Sequence, residues 1–186
     1  MIGAVTTLGA FPTIVTASRY HDFSYGHVVL GHESKCANLH GHNGRVHFTV
    51  AGPQIDSVGR VVDFSAIKTA LCYWVEENWD HKFLISVDHP LASQLVHLDS
   101  TVVVCEFNPT AENLAAYLLH IVGPLQLKDS GLALTSVVFE ETRKCSASAA
   151  MTLGQRLTFG EQPDELGFPV GYGSDGTAGI TKQGGL

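Results

Sequence analysis

The sequence predicts an α+β fold in which two helices accompany an antiparallel sheet of four strands. Two observations carry this prediction. Four segments are rich in β-branched and aromatic residues or alternate apolar with polar side chains, as strands do. Two other segments show the apolar spacing of amphipathic helices. The order strand, strand, helix, strand, helix, strand, with helices this short, favours an antiparallel sheet.

The first two strands are predicted from composition and alternation. Residues 13–23 are rich in β-branched and aromatic side chains. Further along, Val46, Phe48 and Val50 alternate with polar residues, which is typical of a half-buried strand. Residues 26–38 are predicted to form the loop between them.

The helices and the last two strands follow. In residues 64–78, apolar side chains recur at helical spacing, so this segment is predicted to be the first helix. The second helix is predicted to begin with Asn108 as the cap and Pro109 at the first helical position. The segments before and after it, residues 101–107 and 134–142, are predicted to be strands.

Composition sets limits on domain number and partners. A chain of 186 residues with 45% hydrophobic and 16% charged content fits one folded domain. We place that domain in residues 1–150 and predict a Gly-rich C-terminal extension without a catalytic role in residues 151–186. The formal net charge of -7 argues against nucleic acid as a partner, but leaves room for a small anionic substrate.

Cysteine usage and the first residues indicate the compartment. The four cysteines are widely spread in a chain too long to need disulfides, which favours reduced thiols and a cytoplasmic protein. The apolar opening segment has no Lys or Arg before Arg19 and contains Pro12. It is therefore a poor signal peptide and too short to span a membrane.

Histidines dominate the segment KCANLHGHNGRVHFTV. His40 and His42 are two residues apart, so in a strand their side chains share one face, and Gly41 between them leaves room for close approach. An antiparallel neighbour could bring His27 alongside. Three neutral imidazoles with an open fourth position are typical of catalytic zinc. The other histidines lack such partners: His21, His32, His47, His89, His97 and His120.

Cys36 admits two interpretations. A free cysteine is most often a small buried hydrophobe, which is our interpretation of Cys72 and Cys105. Cys36 lies close to Lys35 and His40, however, and a thiol near a metal-bound substrate can take or give a proton. Its spacing to the histidines does not match a structural zinc finger.

Six motifs occur in an order that carries a family resemblance: FSYGH, CANLHGHN, VVDF, WDHKFL, NPTAENLA and VVFEET. Over residues 18–149 the chain resembles the 6-pyruvoyltetrahydropterin synthase and 6-carboxytetrahydropterin synthase family. The resemblance implies zinc held by His27, His40 and His42, with the hydroxylated side chain of a reduced pterin bound to the ion. Zinc would lower the pKa of a bound hydroxyl.

The resemblance also implies catalytic residues. Cys36 matches the family's catalytic cysteine, and Asp80 and His81 match its Asp-His pair, in which the carboxylate orients the imidazole. A second pair, Asp88 with His89, lacks the surrounding WDHKFL motif, so we rank it lower.

Substrate contacts are implied in the same way. Glu141 matches the glutamate that accepts two N–H bonds from the pterin, whereas Glu140 should point to the opposite face. Thr110 matches a residue near the pterin, but a role in the local hydrogen bonds of a helix start explains it equally well. Glu112, likewise, can be a carboxylate favoured by the helix dipole. The triphosphate of the implied substrate needs cations, for which the candidates are Lys35, Lys82, Arg143 and Lys144.

The resemblance extends to product and assembly. Three residues separate Cys36 from the His-Gly-His triplet, as in the bacterial enzymes that make 6-carboxy-5,6,7,8-tetrahydropterin for queuosine synthesis. The implied reaction converts 7,8-dihydroneopterin triphosphate and releases acetaldehyde and triphosphate. The implied fold is the tunnelling fold, with both helices on one face of the sheet. Its sheets join into a barrel in trimers that pair as hexamers, with active sites between subunits.

Three alternatives stay open. One is the pyruvoyl branch, which eliminates triphosphate without breaking a carbon-carbon bond. The second is a non-catalytic pterin- or metal-binding module, and the third is a hydrolase using zinc-bound hydroxide. The chain also departs from the family pattern at Tyr25 and Gly26, where two alanines are frequent, and at Gly44, where tyrosine is common.

Overall fold

The computed structural model of the protein describes residues 14–151, which form one six-stranded sheet with helices on both faces. The strands run in the order β4-β3-β1-β2-β5-β6. Their bounds are β1 (Thr16–His27), β2 (His40–Ala51), β3 (Lys82–Ser86), β4 (Val103–Cys105), β5 (Ala133–Thr142) and β6 (Cys145–Ala150). The predicted extension from residue 152 onward and the opening residues 1–13 lie outside the described part.

The α+β class is confirmed, but the prediction of a four-stranded antiparallel sheet is wrong. The pairs β1–β2, β2–β5 and β5–β6 are antiparallel, whereas β1–β3 and β3–β4 are parallel. A helical crossover joins β3 to β4 and returns the chain in the parallel direction, whereas β3 follows β2 through a helix, runs opposite to β2 and so lies parallel to β1. The sheet is therefore mixed.

Two of the strands were missed, for different reasons. β3 is five residues long and has no alternation because its last three residues are all buried. β6 has the sequence CSASAA, in which alanine, a residue depleted in strands, occurs three times. It is a strand because it pairs along β5, a tertiary effect that local sequence does not encode.

Three helices complete the architecture. Helix α1 covers residues 64–78 as predicted and is built from Phe64–Ile67, a π-helical turn Lys68–Cys72, and Tyr73–Asn78. Helix α2 (Ala92–Leu98) was not predicted. Helix α3 covers residues 111–127, built from Ala111–Tyr117, a π-helical turn Leu118–Val122, and Gly123–Leu127. No helix in residues 14–151 combines the length and hydropathy needed to cross a bilayer.

The start of α3 differs from the prediction. Thr110 is the N-cap, and its hydroxyl accepts a hydrogen bond from the Asn113 N–H at 3.3 Å. Asn108 instead holds the β1–β2 connection: its side chain accepts from the Leu30 N–H at 2.9 Å and donates to the Leu30 carbonyl at 2.8 Å. The N-terminal end of α3 is thereby tied to the segment that follows β1.

The main core lies between the sheet and helices α1 and α3, and includes Trp79, Tyr117, Phe48 and Phe139. Helix α2 packs on the opposite face of β3 and β4, in a smaller cluster around Ile85. Two helices therefore share one face as the resemblance implied, and a third covers part of the other.

The rest of that opposite face is polar where β1, β2 and β5 lie side by side. Arg45 donates two hydrogen bonds to the Asp22 carboxylate, at 2.6 and 3.1 Å, and its guanidinium lies 4.2 Å from the centroid of the Tyr20 ring. His47 and Glu140 form a hydrogen-bonded pair at 2.7 Å. The alternation predicted for the second strand is thus confirmed, with Val46, Phe48 and Val50 fully buried on the other side.

Candidate active site

Three histidines converge on the helix-covered face, at the end of the β1–β2 pair. His27 lies directly opposite His40 in the antiparallel register, and His42 is opposite Tyr25. The Nε2 atoms of His27 and His40 are 3.0 Å apart, and one ligating atom from each of the three rings lies within 4.8 Å of the others. The predicted convergence is confirmed. Gly41 allows it, because a Cβ there would lie 3.0 Å from the Tyr25 carbonyl oxygen.

Backbone carbonyls orient two of the rings. His27 Nδ1 donates to the Pro109 carbonyl at 2.7 Å, and His40 Nδ1 donates to the Asn38 carbonyl at 2.7 Å. Because a carbonyl only accepts, each Nδ1 carries the proton and each Nε2 of the neutral ring presents a lone pair. Such outer hydrogen bonds are usual for metal-binding histidines. Sequence reasoning missed both carbonyls, since a backbone acceptor leaves no trace in residue type.

Burial favours the neutral form of two of the rings, those of His27 and His42. It lowers the pKa of His27 below its ordinary value, against the hydrogen bond to Pro109, and it lowers the pKa of His42 against the nearby Glu141 carboxylate. The His42 Nε2 atom is buried without a hydrogen-bond partner among the described residues. Three imidazoles whose ring nitrogens converge in this way fit a divalent metal ion. The identity of that metal stays a prediction.

Glu141 and Glu140 point to opposite faces, as the sequence indicated. Glu141 Oε1 lies 3.4 Å from His27 Nε2 and 3.7 Å from His42 Nε2, while Glu140 pairs with His47 on the other side. Alternation along β5 is the cause, because neighbouring residues of a strand face opposite sides.

Cys36 opens into a small cavity beside this cluster. It lies in the 3₁₀ turn Lys35–Ala37, and its carbonyl accepts a hydrogen bond from the Val29 N–H at 2.8 Å. The cavity has a volume of about 190 Å³, and its lining includes Glu141, Thr110 and Cys145. Thr110 therefore both caps α3 and lines the cavity. Cys72 and Cys105 are buried in the core, as predicted.

Asp80 and His81 form a second, separate arrangement. Asp80 accepts from the Ser24 N–H at 2.8 Å and from His81 Nδ1 at 2.8 Å. Burial opposes ionisation of Asp80, but these hydrogen bonds outweigh it and hold the pKa of the carboxyl below its ordinary value. His81 has a left-handed backbone (φ 56°), and its side chain is 80% exposed. An oriented imidazole thus faces solvent from a strained position, as functional residues often do.

Within one chain the structure does not bring this pair to Cys36. Asp80 and His81 line a cleft of about 800 Å³, and none of the residues lining it belongs to the Cys36 cavity. The cleft holds two cations: Arg143, which was a candidate phosphate ligand, and Arg45, which was not. Lys82 donates instead to the Glu77 carbonyl.

The lower-ranked Asp-His pair, Asp88 and His89, makes hydrogen bonds within its own turn. The Asp88 N–H donates to the Ser86 hydroxyl at 3.3 Å, and His89 Nδ1 accepts from the Leu91 N–H at 3.1 Å. Both contacts organise the turn before α2, and neither residue lines the two cavities described above.

Tyr25 is a departure from the family pattern that the structure accommodates through Gly44. The Tyr25 ring lies between aromatic neighbours, 5.2 Å from Phe23 and 5.7 Å from Phe139 by ring centroids. A Cβ at Gly44 would lie 3.0 Å from Tyr25 Cε1, so the glycine makes room for the ring. Burial, with the Glu141 carboxylate and Cys36 nearby, raises the pKa of the phenol, which therefore stays an O–H donor.

We expect Tyr25→Phe to leave the protein as stable as the wild type or to raise its free energy of unfolding by up to about 1 kcal/mol. The buried Tyr25 hydroxyl has no hydrogen-bond partner among the described residues, so its removal relieves a desolvation cost. Urea denaturation measures the difference, with the exposed Tyr20→Phe as the control. A loss above about 1 kcal/mol would show that the hydroxyl is hydrogen-bonded after all.

Comparison with known proteins identifies the family. The family model described as 6-pyruvoyl tetrahydropterin synthase matches residues 16–151. The chain belongs to this family. That match covers all six strands and all three helices described above.

Relatives and solved structures agree with this assignment. The chain is 33% identical over 134 residues to a 6-carboxy-5,6,7,8-tetrahydropterin synthase of Rickettsia bellii, covering 71% of this chain and 97% of that protein. It is 32% identical over 146 residues to the protein of that name from Synechocystis, covering 75% and 95%. Among structures, an uncharacterised Wolinella succinogenes protein superposes with a TM-score of 0.65 at 26% identity, covering 74% and 98%. The 6-pyruvoyl tetrahydropterin synthase of Caenorhabditis elegans gives 0.52 at 25% identity, covering 75% and 97%.

Proposed function

We propose that this protein is a zinc-dependent 6-carboxy-5,6,7,8-tetrahydropterin synthase, a carbon-carbon lyase of the queuosine route. It converts 7,8-dihydroneopterin triphosphate and releases acetaldehyde and triphosphate. The relatives above carry the name of this product and support the carboxy branch. The observation that carries the proposal is the convergence of three lone-pair-bearing imidazoles beside a cavity that contains both a thiol and a carboxylate.

Each step of the proposed chemistry is assigned to residues that the structure describes. His27, His40 and His42 would hold the ion. A bound zinc ion would polarise the side-chain hydroxyl of the substrate and ease its loss of a proton. Cys36 Sγ takes or gives a proton at the substrate side chain from within the cavity, and Glu141 accepts N–H bonds from the pterin ring.

Asp80 and His81 are proposed to act on the site of a second copy of the chain. His81 Nδ1 is fixed by Asp80, so Nε2 is the atom that exchanges a proton. Its ring is exposed and lines a cleft separate from the Cys36 cavity, which suits an imidazole that completes a neighbour's site. Arg45 and Arg143 in that cleft would balance the charge of the triphosphate.

This arrangement requires an oligomer, and we propose a homohexamer built from two trimers. The polar face around Arg45, and the edges that β4 and β6 leave at the ends of the sheet, would then be covered by other copies. The described cysteines, Cys36, Cys72, Cys105 and Cys145, form no disulfide among themselves, in keeping with a cytoplasmic protein.

Product analysis tests the proposal. We expect the purified, zinc-loaded protein to turn 7,8-dihydroneopterin triphosphate into 6-carboxytetrahydropterin with one acetaldehyde released per triphosphate. Mass spectrometry of the pterin and an enzymatic acetaldehyde assay measure both. Triphosphate release without acetaldehyde would assign the protein to the pyruvoyl branch, which the C. elegans neighbour's name represents. If the substrate bound but stayed unchanged, the protein would be a pterin-binding module without catalytic activity. Phosphate-ester cleavage alone would indicate a hydrolase.

A further inference from the structure

The Glu141 carboxylate lies close to the histidine cluster. Its Oε1 atom lies 3.4 Å from His27 Nε2 and 3.7 Å from His42 Nε2, on the same side as the histidine cluster. A carboxylate in this place does more than line the cavity, because it faces the atoms that would bind the metal.

The tautomers of the histidines determine which ring nitrogens carry a lone pair. His27 and His40 each donate their Nδ1 proton to a backbone carbonyl, so in the neutral rings Nε2 is an acceptor. His27 Nε2 therefore faces two other acceptors, His40 Nε2 at 3.0 Å and Glu141 Oε1 at 3.4 Å. Acceptor atoms repel one another unless a cation lies between them. A divalent metal ion between them removes that repulsion for all these atoms together.

The distances fit such an ion. Ligand atoms 2.0–2.2 Å from a tetrahedral zinc ion are separated from one another by about 3.3–3.6 Å. The separation of Glu141 Oε1 from His27 Nε2, 3.4 Å, falls within this range, and its separation from His42 Nε2, 3.7 Å, is slightly longer. The carboxylate thus stands in the same relation to His27 and His42 as a further ligand would.

We propose that Glu141 is a ligand of the metal ion in the substrate-free protein and that it leaves the ion when pterin binds. This inference rests on the proposed function, in which Glu141 accepts N–H bonds from the pterin ring. The Glu141 carboxylate cannot bind the metal ion and accept both N–H bonds of the pterin ring at the same time. Pterin binding therefore moves Glu141 off the ion and frees a coordination position for the substrate side chain. Binding at the ring end of the substrate is thereby coupled to access at the reacting end.

Zinc affinity of the substrate-free protein tests the ligand role. We expect Glu141→Gln to weaken zinc binding by at least about 10-fold in a competition assay with a chromogenic chelator, since an anionic oxygen ligand is replaced by a neutral amide. Glu140→Gln is the matched control, because this neighbouring glutamate pairs with His47 on the opposite face and its loss should leave zinc affinity unchanged. Equal zinc affinity in Glu141→Gln and wild type would overturn the proposal.

A second measurement uses the unmodified protein and so does not depend on the folding of a variant. In the cobalt-loaded protein, addition of neopterin, an oxidised pterin, should change the visible absorption bands because one oxygen ligand is exchanged. Before neopterin is added, the visible spectrum of cobalt-loaded Glu141→Gln should already differ from that of the wild type. A wild-type cobalt spectrum that stays unchanged although neopterin is shown to bind would contradict the inference. If instead zinc affinity falls as expected but no pterin product forms, the proposed function fails and the ligand role stands.

Discussion

Cys36→Ala is expected to lower kcat for 7,8-dihydroneopterin triphosphate by about 10²–10⁴-fold, which is the usual contribution of a positioned general acid or base. Cys36 opens into the cavity that also contains Glu141, so its thiol is placed to exchange a proton with a substrate held there. Zinc content and pterin affinity should remain close to wild type, since the three histidines and Glu141 are untouched. Steady-state kinetics, metal analysis and a pterin-binding titration measure the three quantities.

Cys145 provides the matched control for this experiment. It lines the same cavity but is exposed at the start of the edge strand β6. Cys145→Ala should therefore retain turnover within a few-fold of wild type. If Cys36→Ala turned over at the wild-type rate, Cys36 would be only a lining residue and the non-catalytic alternative would gain support.

The second large effect is expected from mixing two inactive variants. Cys36→Ala and His81→Ala should each be nearly inactive, yet mixed oligomers formed by co-expression should recover turnover. If each site takes Cys36 from one copy and His81 from another, random assembly leaves about a quarter of the sites with both residues. Recovery to about that fraction of wild-type activity is the expected result in a steady-state assay.

A mixture of Cys36→Ala with Glu141→Gln is the control, because both residues line the same cavity of one chain. No site in such a mixture contains both wild-type side chains from a single chain, so no recovery is expected. Failure of the Cys36→Ala and His81→Ala mixture to recover, with both variants shown to co-assemble, would place the complete site in one subunit and refute the inter-subunit arrangement.

Much of the candidate site could be predicted from sequence because strand periodicity is a local property. His40 and His42 share a face because they are two residues apart in one strand, and the same alternation separates Glu141 from Glu140. The helix over residues 64–78 was also predictable, since its apolar spacing lies within the segment. Motif order then indicated the family without any coordinate.

Other features depended on partners distant in sequence. β6 is a strand only through its pairing with β5, and β3 is parallel to β1 only through its placement beside β1, after β2 and a helix have intervened in the chain. Pro109 orients His27 across 82 positions of the chain through a carbonyl that every residue type possesses. Arg45 reaches the His81 cleft because β2 lies beside β1 in the sheet.

The sequence by itself determined which side chains are the candidates for the chemistry, because residue identity and spacing are local: three imidazoles, a thiol and an Asp-His pair. Only the tertiary structure decided how they are divided in space. It placed Glu141 against the histidine nitrogens and put His81 in a cleft apart from Cys36. The physical reason is that distances between strands are set by sheet register and long-range hydrogen bonds, which join residues that the linear sequence keeps far apart.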